Sequence, residues 1–236
     1  MQLFFKIFFI TLVALFTVSC AGRHTPKIVG GEKNYQERFY YYYGLECCKP
    51  LNELNVTSFK DEITFTMEEN ADLIRLNGFQ TNYMFFELPK ERGEHLYGIR
   101  SFYVDHKFAY IPQVTALNEH YNVIESTQAS YIQYQHQTLI WDDSHFWLYF
   151  KFNTKNNPDQ KYFIVHLQAE IGTDFRASPK EYTNVDTMFV NGQPVSHVNK
   201  STSFSFPTLV SPSGVLLLQK LGFWNKPVNN NIFYNF

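Results

Sequence analysis

The chain has 236 residues and a formal net charge of −2, from 20 basic and 22 acidic side chains. That near-balance gives no electrostatic reason to expect nucleic acid or an anionic lipid surface as the partner, and the length suffices for one large domain or two small ones. The outlier is aromatic content, 24 Phe, 16 Tyr and 3 Trp, which favours pleated, half-buried surfaces and so points to an all-β domain; the rings either fill a sandwich core or offer a platform for sugar.

The chain opens with an export leader. Lys6 supplies a positive flank, and Ile7 to Val18 is an uninterrupted, largely apolar run. It is shorter than the ~20 residues of a membrane-spanning helix but suits the apolar centre of a signal peptide. Thr17-Val18-Ser19-Cys20-Ala21-Gly22 follows. Small residues leading into a cysteine resemble the lipobox of bacterial lipoproteins, whose thiol takes a diacylglycerol and becomes the new N-terminus. Thr17 stands where that group prefers Leu. The rival reading is cleavage after Ala21, with Ser19 and Ala21 as the small-x-small pair, which would remove Cys20. Residues 1–20 are read as a lipoprotein signal peptide with Cys20 as the lipidation site and the membrane as a partner through that lipid. Ala21 is not the Asp that retains bacterial lipoproteins in the inner membrane, so the resemblance implies the periplasmic face of the outer membrane.

Residues 21–38 are polar, contain Pro26 and Gly30-Gly31, and read as a flexible tether. A sandwich domain is expected over 39–225. After Cys20 only Cys47 and Cys48 remain, and in an oxidising compartment three states stay open: a vicinal disulfide, bridges to another chain, or two buried thiols. Neighbouring Cα atoms lie ~3.8 Å apart, short of the ~4.4 Å minimum of ordinary bridges. Leu51, Leu54 and Phe59 suit a single helical turn. Ile63, Phe65 and Met67 then alternate with Thr64 and Thr66, a strand with one buried face.

Asn77-Gly78 signals a turn before the strand Tyr83–Leu88. Leu96–Val104 reads as a strand, and Tyr110–Leu117 as one that is either an edge or begins after Pro112. Residues 124–140 are rich in Gln, Tyr and Ser and read as a long loop or weak strands. Phe146–Phe152 is apolar on both faces, as a central strand would be, with Tyr162–Leu167 its expected hairpin partner. Met188–Val190, Asn191-Gly192 and Val195 give another turn, and Gly214–Leu221 is the last strong strand. Residues 226–236, with Asn229, Asn230 and Asn231, read as a disordered tail. With no internal repeat and no long helical period, the pattern predicts an antiparallel β-sandwich of about eight to ten strands with little helix.

The motifs of nucleophilic, nucleotide and zinc chemistry are missing from the sequence. The eight histidines are scattered, with no pair at helical ligand spacing. His166 alternates with Val165 and Leu167 and is expected to face solvent. The tightest polar cluster, Asp142-Asp143-Ser144-His145 beside Trp141, lacks the further oxygen ligands a calcium ion needs. No metal, cofactor or catalytic residue is expected, and the chain reads as a binder and not an enzyme.

From Tyr43 onward the chain resembles the maltose operon periplasmic protein (MalM-like) family. The carrying stretches are Cys47-Cys48-Lys49-Pro50-Leu51-Asn52-Glu53-Leu54, Tyr83–Pro89, Ile111–Asn118, Phe163–His166 and Ser211-Pro212-Ser213-Gly214. The resemblance covers about residues 40–222 and implies a lipid-anchored periplasmic protein associated with maltose and maltodextrin transport, without a defined reaction. Sugars present C–H faces to rings and hydroxyls to carboxylates and amides, which makes Trp141 with Asp142 and Asp143, and Trp224 with Asn225, candidate contacts for maltodextrin. An envelope protein as partner is the alternative.

Overall fold

Phe65, Tyr97, Ile99, Phe150, Leu216 and Leu218 lie on four different strands and share one hydrophobic core; their two-residue spacing along each strand is what turns them to a common face. The computed structural model describes residues 47–67, 72–104, 107–135, 144–177, 180–190, 193–203, 207–222 and 233–236. The leader with Cys20, the tether over 21–38, and Trp141, Asp142, Asp143 and Trp224 lie outside the described residues.

In chain order the strands are β1 (Glu62–Thr66), β2 (Ile74–Leu76), β3 (Phe79–Thr81), β4 (Tyr83–Glu87), β5 (Glu94–Val104) and β6 (Phe108–Ala109). Then come β7 (Pro112–Leu117), β8 (Val123–Ser126), β9 (Gln133–Gln135), β10 (His145–Asn153), β11 (Tyr162–Leu167) and β12 (Asp174–Phe175). The last are β13 (Lys180–Val190), β14 (Gln193–Ser203), β15 (Thr208–Val210), β16 (Val215–Leu221) and β17 (Phe233–Asn235). Among the described residues there is no α-helix, and 3-10 turns stand at Leu51–Glu53 and Ala129–Tyr131. The all-β class read from the pattern is the observed one. The strands outnumber the expected eight to ten because several pairings are only two or three residues long.

A nine-stranded sheet runs β1-β16-β5-β6-β15-β12, with β10 on β5 and both β9 and β17 on β10. A four-stranded sheet runs β4-β11-β7-β8. The two pack face to face through rings. Phe163 of β11 sits 5.4 Å from Tyr97 and 5.4 Å from Phe152 of the larger sheet, and 4.9 Å from Phe86 of β4 beside it in its own sheet. Burying one such ring contributes ~1.5–3 kcal/mol. The far face of the smaller sheet is covered too: Tyr83, Phe85, Leu117 and Ile164 pack against Leu54, Ile74 and Leu76. That second cover explains the near-continuous apolar run of β11.

Three expectations need correction. β11 is not the hairpin partner of β10; it pairs with β4 and β7 in the opposite sheet, and the polar loop between them carries the chain across the sandwich. Both strands are apolar on two faces, so their patterns do not reveal which sheet each joins. His166 turns away from the main core as alternation requires, but its side is roofed and it is fully buried. Of the two readings of Tyr110–Leu117, the start at the proline is the observed one: β7 begins at Pro112 and is interior, flanked by β11 and β8. Finally, the disordered-tail reading fails for 233–236: β17 pairs parallel with β10 from Tyr149 to Lys151, and Phe233, Tyr234 and Phe236 are buried.

The turn signals did place hairpins. Asn77 and Gly78 join β2 to β3 with φ of 54° and 88°, the left-handed pair that Asn-Gly adopts readily. β13 and β14 pair from Val190↔Gln193 outward, as Asn191-Gly192 predicts.

Candidate functional site

The rim of the four-stranded sheet gathers aromatic and polar groups at the surface. The chain leaves β7 at Leu117 and returns in β8, and Asn118 organises the loop between. Its side-chain oxygen accepts from the backbone N–H of His120 and of Asn122, both at 2.9 Å, while Tyr121 N–H donates to the Asn118 carbonyl at 3.0 Å. This clamp holds Tyr121 at φ 62°, a region that non-glycine residues rarely occupy.

The result is a stack. The Tyr121 ring lies 5.2 Å from Tyr162 at 7° between planes, with Phe85 beneath at 5.1 Å from Tyr162. Partial burial, and next the hydrogen bond to Tyr121, raise the Tyr162 phenol above its ordinary pKa. Directly opposite Tyr162 in register stands Glu87, paired with Lys161 at 3.0 Å; that bond raises the Lys161 ammonium pKa. Both rings are half-buried and keep part of their faces in water. Glu87 also lines an adjoining cleft with Val56, Phe59 and Lys90.

Behind this rim lies a polar chain. His166 Nδ1 lies 2.8 Å from the Leu167 carbonyl, and Nε2 lies 2.7 Å from Thr115 Oγ1. Ser126 Oγ is 2.7 Å from the same Thr115 oxygen. Asn77 Nδ2 donates to Gln113 Oε1 at 2.7 Å, and Gln113 Nε2 to the Thr127 carbonyl at 2.8 Å. Burial lowers the His166 pKa to about 4 against a smaller opposing effect of the backbone hydrogen bond. The imidazole is therefore neutral at neutral pH and acts as a structural bridge.

Of the residues singled out in sequence, Trp141, Asp142, Asp143 and Trp224 fall outside the described residues. Their neighbour His145 is fully buried at the start of β10. The sulfurs of Cys47 and Cys48 lie against each other, with Cys47 packed on the main core, and Lys49 pairs with Asp72 at 2.6 Å. Among the described residues no group of His, Cys, Asp and Glu could hold a metal ion. No described helix is long and apolar enough to cross a membrane. The reading missed Tyr121 and Tyr162, which lie far apart in sequence; only the Asn118 to Asn122 turn between two apolar stretches marked the place.

Fold and site together define an all-β sandwich protein carrying an aromatic and polar rim on its smaller sheet. Residues 78–173 match the family described as maltose operon periplasmic protein precursor (MalM), and the chain is similar to that family over this span. The span holds Tyr83–Pro89, Ile111–Asn118 and Phe163–His166, and both stacked tyrosines; Cys47–Leu54 and Ser211–Gly214 fall outside it. No curated protein and no solved structure matches the chain.

Proposed function

We propose that this protein is an exported periplasmic accessory protein of a maltose or maltodextrin transport system that binds sugar and does not turn it over. The observation that carries the reading is the family match over 78–173, a span that contains the half-exposed Tyr121–Tyr162 stack. A glucose ring laid on those tyrosines would bury its C–H face, with Glu87, Lys161 and Asn122 near enough in the fold to meet its hydroxyls. Calorimetry with maltoheptaose tests it. Binding heat that Tyr121→Ala reduces about tenfold supports the reading, and absence of heat at millimolar sugar overturns it.

The same reading places the protein at the outer membrane, anchored through a diacylglycerol on Cys20. Mass spectrometry of the mature N-terminus decides this; a free Gly22 amine rules the lipid out.

A second reading, a docking module for an envelope protein, draws on β8. This strand ends the four-stranded sheet, and Val123 and Ile124 on it are 50% and 42% exposed. A sheet edge with exposed apolar side chains is a ready template for an added strand. A photocrosslinker at position 124 that gives a discrete adduct in cells, in a protein without maltodextrin heat, would favour this reading.

A further inference from the structure

A cleft of about 260 Å³ opens at the sandwich rim, floored by Phe59 and the buried Tyr97. Two segments flank it, Val56–Lys60 and Glu87–Lys90, and Lys220 of β16 completes the lining. The first segment is fixed there by Thr57 N–H donating to the Phe85 carbonyl at 2.6 Å. Phe59 meets Phe86 edge-on at 5.4 Å.

The balance of charge suggests what this cleft accepts. Lys60 and Lys90 are exposed on the flanking segments, and neither forms an ion pair among the described residues. Glu87, the lining carboxylate among the described residues, is already paired with Lys161. A neutral sugar gains nothing from uncompensated ammonium groups, whereas an anion does. The lining cations are lysines, point charges with three rotatable donors. They suit a tetrahedral phosphate; a planar carboxylate is better matched by the fork of arginine. The Thr57 and Ser58 hydroxyls add further donors, and the aromatic floor offers an apolar contact. The volume falls below the ~300–1,000 Å³ of sites for drug-sized ligands, which limits the occupant to roughly one ring.

We propose that this cleft binds a phosphate monoester carried on a body of about one sugar ring, or the same group as a lipid headgroup. The site adjoins the tyrosine stack through Glu87, which stands opposite Tyr162 and also lines the cleft, while Phe59, Lys60 and Lys220 lie outside the family-matched span.

Calorimetry on the mature protein with glucose 6-phosphate, inorganic phosphate and glucose tests the proposal. Glucose 6-phosphate is expected to bind at least tenfold more tightly than glucose, to be displaced by inorganic phosphate, and to weaken as salt screens the lysines. The double variant Lys60→Gln/Lys90→Gln should lose at least tenfold in affinity with an unchanged thermal midpoint, since both side chains are exposed. Repeating the titration on phosphatidylcholine vesicles with phosphatidic acid added identifies the source. Loss of glucose 6-phosphate binding there assigns the site to a lipid headgroup, and retention assigns it to a soluble ester. Equal affinity for glucose and glucose 6-phosphate, or undiminished binding by the double variant, overturns the proposal. Neither result bears on maltoheptaose binding at the tyrosines.

Discussion

Thr115 Oγ1 lies 2.7 Å from His166 Nε2 across neighbouring strands of the smaller sheet, and the groups on either side fix the direction of that bond. His166 Nδ1 faces the Leu167 carbonyl, which can only accept, so Nδ1 carries the proton and Nε2 is the acceptor. Thr115 therefore donates to His166 and accepts from the Ser126 hydroxyl. One directed chain thus links β8, β7 and β11. Thr115→Val keeps the shape but removes the donor, leaving a buried ring nitrogen unpaired. The expected loss is about 2 kcal/mol, read as a lower urea midpoint at unchanged slope. A midpoint matching the wild type would show that Nε2 has found another donor.

The same ring makes stability depend on pH. Its folded pKa is lowered to about 4 by burial, while an unfolded histidine titrates near ~6.5. Between these values the unfolded chain binds the extra proton, so stability rises with pH through this window and is complete above the upper value. Acidification from pH 7 toward 4 should remove about 3 kcal/mol through this group alone. His166→Gln, less stable at pH 7, should show a flatter profile over that range in denaturant titrations. An unchanged slope in the variant would assign the acid sensitivity to other groups.

Glycines divide sharply by what surrounds them. A Cβ on Gly214 would meet Tyr110 Cβ at 2.6 Å and its backbone nitrogen at 3.3 Å, and a backbone atom cannot swing aside. On Gly98 it would meet Trp147 Cζ3 at 2.8 Å, in a ring stacked on Tyr149 at 4.7 Å and covered by the Arg100 guanidinium at 3.7 Å. Around Gly93 nothing lies within 4 Å. Gly214→Ala and Gly98→Ala should each destabilise by about 2–3 kcal/mol, while Gly93→Ala should stay within ~0.5 kcal/mol of the wild type. Thermal melts of the three variants settle the order, and a neutral Gly214→Ala would contradict the close approach to Tyr110.

Where one face of a strand is buried, period two is enough to read it. Phe65 and Ile99 were legible that way, as was the Asn77-Gly78 turn. What the pattern could not assign was the sheet. β10 and β11 are both covered on two sides, and the choice between pairing with each other and packing face to face is set by distant strands. His166 shows the same limit. Its alternation was legible, but the roof that buries its side comes from Leu54, Ile74 and Leu76, far earlier in the chain. The tyrosine stack was hidden for a related reason: residues 121 and 162 become neighbours only because β7 and β11 pair.

The C-terminus offers a test of how far the core extends. Phe236 stacks on Phe152 at 4.5 Å and 16°, its N–H donates to the Lys151 carbonyl at 3.0 Å, and Asn157 Nδ2 donates to its carbonyl at 3.0 Å. Tyr234 lies 5.0 Å from Phe236 and donates its hydroxyl to Glu125 of β8, tying the edges of the two sheets together. Burial, and next the bond to Glu125, push the Tyr234 phenol well above its usual range. Phe236→Ala should therefore cost about 3 kcal/mol, as for a buried ring elsewhere in a core. Deleting 233–236 should cost more, because it also strips the parallel pairing from the edge of β10 and exposes Phe150 and Phe152. Phe236→Leu, which keeps most of the volume, should recover over half of the loss. Equilibrium unfolding of the three variants measures this, and a deletion that leaves the midpoint in place would mean these residues add nothing to the fold.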